Sequence, residues 1–172
     1  MLTKQKISDL AYFGGFPAFS STLHVGRPNV GDRDAFMRRV DDIFDRRWLT
    51  NRGPFVRELE QKLADYLQVK HCVVMANATI ALEITARALG LKGEVIVPSF
   101  TFIATAHALQ WQQITPVFCD VAPGSHHLDP QQIERLITPR TTGIVGVHVW
   151  GQACDTEAID AIAQRHSLKV MY

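Results

Sequence analysis

The chain lacks most of the features that would reveal a function at a glance. It has only 3 cysteines, Cys72, Cys119 and Cys154, odd in number and far apart, with no CxxC pair. Neither a disulfide framework nor a cysteine-based zinc site is therefore expected. Cys72 and Cys119 fall in apolar runs and read as buried thiols. Charge of one sign is also missing. A net charge of +1 offers no footprint for nucleic acid or an anionic membrane surface. No apolar run is long enough to cross a bilayer, and MLTKQKISDLAYF is not a signal peptide, so a cytoplasmic protein is expected. Neither GxGxxG nor GxxxxGK[ST] occurs, which excludes the usual modes of nucleotide binding. Internal repeats and low-complexity tracts are absent too. His126-His127 have no carboxylate or cysteine at ligand spacing, so no metal site is expected there.

With 47% hydrophobic and 20% charged residues, the composition is that of a soluble globular domain able to bury a core. Residues 1–32 are broken by Gly14, Gly15, Pro17, Gly26, Pro28 and Gly31 and read as an irregular arm. Phe13, Phe16 and Phe19 give this arm an apolar side suited to lying on a second subunit. Asp32 or Asp34 caps an expected helix running to about Trp48. Pro54 opens another, reaching Leu67, with Phe55, Leu59, Leu63, Tyr66 and Leu67 at helical spacing.

From Lys70 onward strands and helices alternate. Strands are expected at 72–75, 94–97, 115–121, 143–149 and 168–172, with helices at 79–89, about 102–112, 130–137 and 155–166. Near-continuous apolar strands joined by helical crossovers imply an α/β fold, a mostly parallel sheet covered on both faces. Ligands of such sheets bind at the carboxyl ends of the strands. Here those ends are 76–79, 98–102, 120–122 and 148–151.

The stretch from Val73 to Phe102 organises the rest. Small residues Ala76-Asn77-Ala78 stand between a strand and a helix, and Asn77 can cap that helix. Such a turn aims backbone N–H groups outward at the positive end of the helix dipole, a setting for phosphate. The neighbouring unit, Pro98-Ser99-Phe100-Thr101-Phe102, can lay a ring over a flat ligand.

NATIAL (77–82) followed by EVIVPSFTFIAT (94–105) resembles the DegT/StrS-type sugar aminotransferases, which use pyridoxal phosphate (PLP). Four further pieces resemble the family in the same order: LTNRGPFVRELE, TPVFCDV, HHLDPQQIERLITPRTTGIVGVHVWG and ACDTEAIDAIAQRHSLKVMY. The resemblance implies the N-terminal part of the large domain of a fold-type I PLP enzyme over 33–172, preceded by the 1–32 arm. It implies transamination of a nucleotide-linked keto sugar, with glutamate as donor, by a homodimer. Its implied cofactor contacts are Asn77, Ala78, Thr79 and Ile80 at the phosphate, Phe102 on the ring, and His148 near the site.

The resemblance also places the ring-nitrogen aspartate and the covalent lysine beyond Tyr172. No catalytic residue is thus expected within this chain, which reads as inactive by itself. Two alternatives stay open: a dehydratase of the same family with histidine in place of the lysine, and a non-catalytic relative. Each residue also has a plainer reading: Asn77 a helix cap, Phe100 and Phe102 core rings, His148 a hydrogen-bonded structural histidine.

Overall fold

The computed structural model describes residues 3–172. The chain divides into two compact units, one reaching to Arg57 and the other spanning Glu58–Tyr172. In the first unit, the arm forms two single-turn 3-10 helices, Ile7–Asp9 and Ala11–Phe13. Helix α1 (Arg33–Arg46) begins where the Asp32 carboxylate accepts the N–H of Ala35 at 3.0 Å. Capping one otherwise unpaired first-turn donor fixes the helix start. Phe13, Phe16, Phe19, Phe36 and Phe44 are all exposed. Helix α2 spans Pro54–Leu67 as the sequence predicts, and the boundary between the units falls within it.

The second unit holds α3 (Ala78–Ala88), β1 (Glu94–Pro98), α4 (Ala104–Gln110), β2 (Thr115–Cys119), α5 (Pro130–Leu136), β3 (Thr141–Val145), α6 (Thr156–Arg165) and β4 (Lys169–Met171). Its four strands pair in parallel throughout, in the order β2-β1-β3-β4. The chain therefore steps outward from β1 to β2, then returns across β1 to β3 and β4. Crossovers of one hand require opposite faces for the two directions. That is what the packing shows. Ala86 of α3 and Leu109 of α4 pack with Val95, Val97 and Val145. Ile133 of α5 and Ile159, Ile162 and Ala163 of α6 pack with Ile96, Cys119 and Ile144. Alternation along β1 sends Val95 and Val97 one way and Ile96 the other.

One expected strand is missing. Residues 72–75 join no ladder. A strand exists only as a pair, and here the N–H of Val74 instead donates to the Glu60 carboxylate at 3.0 Å. Of the remaining strands, β2 and β4 are shorter than expected, β1 runs one residue further to Pro98, and β3 lies earlier, at 141–145 instead of 143–149, because pairing, not hydrophobicity, defines the ladder. Among the described residues no helix is long and apolar enough to cross a membrane.

At the amino end of β1, the buried carboxylate of Glu94 accepts hydrogen bonds from the Thr138 hydroxyl and from Arg140. These partners hold its carboxyl below the usual value, the Thr138 bond foremost, then Arg140.

Candidate functional site

Reversal of strand order between β1 and β3 leaves a crevice at their carboxyl ends. A cavity of about 590 Å³ occupies this position. Its walls come from the first turns of α3 (Ala78, Thr79, Leu82), the β1–α4 segment (Phe100 to Phe102, Ala104, Thr105) and the segment after β3 (Val147, Val149, Trp150). None of these lining residues is charged.

The α3 wall is set by its cap. Asn77 is extended, and its side-chain oxygen accepts the N–H of Ile80 at 3.0 Å. Of the first-turn donors, those of Ala78 and Thr79 remain for a ligand, at the positive end of an 11-residue helix. The sequence-based reading placed Asn77, Ala78, Thr79 and Ile80 at the phosphate. The cap leaves the N–H groups of Ala78 and Thr79 available, because that of Ile80 is already used.

Phe102 is 76% exposed beside the cavity, so it is not a core ring. Phe100, expected to be core, is 43% exposed and also lines the cavity. The Thr101 and Thr105 hydroxyls lie 2.9 Å apart, fixing the backbone between the two phenyl rings and α4. The Ser99 N–H bonds Cys119 O at 2.8 Å and its hydroxyl bonds the Asp120 carboxylate at 3.2 Å, tying the end of β1 to that of β2.

His148 does not line the cavity, although its neighbours Val147 and Val149 do. In extended chain alternate side chains point to opposite sides. Its ring stacks on Tyr172 at 5.6 Å and 7°, and its Nδ1 accepts the Cys154 N–H at 3.1 Å. The Tyr172 hydroxyl donates to Asp160 at 2.7 Å. Burial and the facing Asp160 carboxylate push that phenol's pKa well up. Asp155 caps α6 through the Ala158 N–H at 3.0 Å. His126 joins an aromatic group with Phe100 and Trp150. His127 bonds Ser125 and the carbonyl of Gln152.

Thus the structure brings Ala78, Thr79 and Phe102 to one cavity, with Asn77 shaping its edge, and leaves Ile80 and His148 outside. Sequence reasoning missed Trp150. Its only signal was an aromatic residue just before a glycine at a strand's carboxyl end.

A helix start with unpaired first-turn N–H groups and an exposed ring line one cavity at a topological switch point, the place where α/β proteins of this kind bind their ligands. Residues 31–172 match the DegT/DnrJ/EryC1/StrS aminotransferase family, to which the chain belongs. It is 42% identical over 151 residues to the dTDP-4-amino-4,6-dideoxy-D-glucose transaminase of Escherichia coli, covering 88% of this chain and 41% of that protein. The fold is similar to that of DesI, solved in the presence of its TDP-sugar product, with TM-score 0.88 and 48% identity over 96% of this chain and 42% of that one. NtdA of Bacillus subtilis, solved with bound cofactor PMP, gives a TM-score of 0.76 at 32% identity, over 80% of this chain and 32% of that one. The chain thus spans about a third to two fifths of the length of these relatives.

Proposed function

We propose that this chain carries the phosphate-holding and ring-covering part of a PLP site. The enzyme it serves transfers an amino group, with glutamate as donor, to a nucleotide-linked keto sugar. The observation behind this reading is the single cavity shared by the first turn of α3 and Phe102, in a chain of an aminotransferase family.

PLP, when bound, supplies the electron sink for amino-group transfer, while the protein supplies binding and orientation. The N–H groups of Ala78 and Thr79 and the Thr79 hydroxyl would hold the phosphate, and Asn77 keeps that turn open by satisfying Ile80. Phe102 would cover the flat ring, and the apolar Val147 and Val149 would help exclude water from the cavity. His148 acts from outside the cavity, its ring Nδ1 accepting the Cys154 N–H and so fixing the segment that carries the two valines. Exposed Phe13, Phe16, Phe19, Phe36 and Phe44 support a homodimer, since apolar surface of that extent is usually covered by a partner. A cytoplasmic location belongs to the same proposal.

The test uses the gene product that carries this sequence. Incubated with PLP, glutamate and a dTDP-linked 4-keto-6-deoxyhexose, it should yield the amino sugar and 2-oxoglutarate, with a visible absorption band from bound cofactor. Loss of a hydroxyl without gain of nitrogen, or no band at any PLP concentration, would contradict the proposal.

A further inference from the structure

Three rings meet beside the cavity, and two of them, Phe100 and Trp150, line it. Phe100 and His126 lie 5.2 Å apart, Phe100 and Trp150 5.7 Å, and His126 and Trp150 4.9 Å, the last two pairs edge to face. Trp150 is 77% exposed, so the cluster braces it without burying it. Its backbone is left-handed at φ 50°, as is Gly151 at 79°, in a tight turn closed by the Gln152 N–H to Val149 O bond of 3.0 Å. Asparagine and glycine are the usual occupants of such a turn, and a bulky side chain there is strained. His127 clamps the turn from outside, its Nε2 donating to the Gln152 carbonyl at 3.1 Å. A large ring is therefore held at the cavity edge, in a costly backbone conformation, without contributing to the core.

We propose that Trp150, braced by Phe100 and His126, is the wall against which the hexose ring of the substrate lies. This rests on the PLP reading above and extends it to the position of the sugar. The part of the substrate that shares a cavity with the cofactor is the part that reacts, and in a sugar transaminase that is the hexose. The wall that Phe100, Val149 and Trp150 give this cavity is apolar. A hexose stripped of hydroxyls presents C–H groups that match an indole face. Trp150 thus positions the deoxyhexose ring, and the nucleotide lies outside the aromatic wall.

The test is calorimetric titration of the gene product and of its W150A and W150F variants. The sugar nucleotides, dTDP-4-amino-4,6-dideoxy-D-glucose and dTDP alone, are titrated into the pyridoxamine phosphate form, with which the amino sugar cannot react, and pyridoxamine phosphate is titrated into the cofactor-free protein. W150A should weaken the dideoxy sugar by about 2- to 13-fold, the range of one aromatic face. It should leave dTDP and pyridoxamine phosphate unmoved, and W150F should recover most of the loss. A loss in W150A that appears equally with dTDP would assign the ring to the base and overturn the proposal. So would an unchanged affinity for the dideoxy sugar while pyridoxamine phosphate still binds. If the unsubstituted protein binds no pyridoxamine phosphate, the PLP reading itself falls, and this inference with it.

Discussion

Replacing Phe102 with alanine separates what the ring does for the fold from what it does for a ligand. With 76% of the side chain exposed, little apolar area is lost from the folded state. The unliganded variant should melt within about 0.5 kcal/mol of the parent, as surface substitutions do. Ligand affinity should respond differently. An aromatic face against a flat ring contributes about 0.5–1.5 kcal/mol beyond its area, which is roughly a 2- to 13-fold change in dissociation constant. The assay is paired: thermal melting without ligand, and titration with pyridoxamine phosphate, which binds without a covalent bond. F102W should retain most of the affinity. A large loss of stability in F102A would make the ring structural. Unchanged affinity for pyridoxamine phosphate would remove it from the site. Either result refutes the reasoning.

Three further outcomes follow from the fold. Gly93 has φ 63°, and a Cβ there would meet the Arg140 carbonyl at 2.6 Å, whereas Gly90 at φ 71° has open space. Both alanine variants incur the left-handed cost, about 1–2 kcal/mol or roughly 2–8 °C in Tm, but G93A should lose clearly more; equal losses in calorimetry would show the contact is relieved. The folded-state pKa of Glu94 is lowered, so its ionised form stabilises the fold above the ordinary value of 4.5, and that contribution disappears as the pH falls through the folded value. The Tm gap between parent and E94Q should accordingly be wide at neutral pH and close in acid; a constant gap would contradict this. Burial raises the Cys119 thiol to about 11 and lifts that of Cys154 as well, while Cys72 is only half-buried. Iodoacetamide at pH 8 should therefore modify Cys72 alone until the protein is unfolded, as read by peptide mass spectrometry.

Much of the framework was legible because local signals agreed with tertiary packing. Pro54 and the spacing of Phe55, Leu59, Leu63 and Leu67 mark α2 to the residue, and Asp32, Asn77 and Asp155 cap the helices they announce. Cys72 to Met75 is as apolar as β1, yet ladder formation depends on a neighbour that local sequence does not specify. The site was half legible. Asn77 to Thr79 is a local motif, so its turn could be read directly. Whether Phe100 is core or wall depends on which way the β1–α4 segment turns. Trp150 matters only because the reversal of strand order places the end of β3 beside that of β1. Ile80 shows the reverse case, where a correctly read cap consumed the N–H that was assigned to the ligand.

A crystal structure of the gene product with pyridoxamine phosphate measures the central claim most directly. The account predicts the phosphate within hydrogen-bonding distance of the Ala78 and Thr79 N–H groups and the pyridine ring lying against Phe102. A phosphate bound away from the start of α3, or a ring that does not touch Phe102, would contradict it.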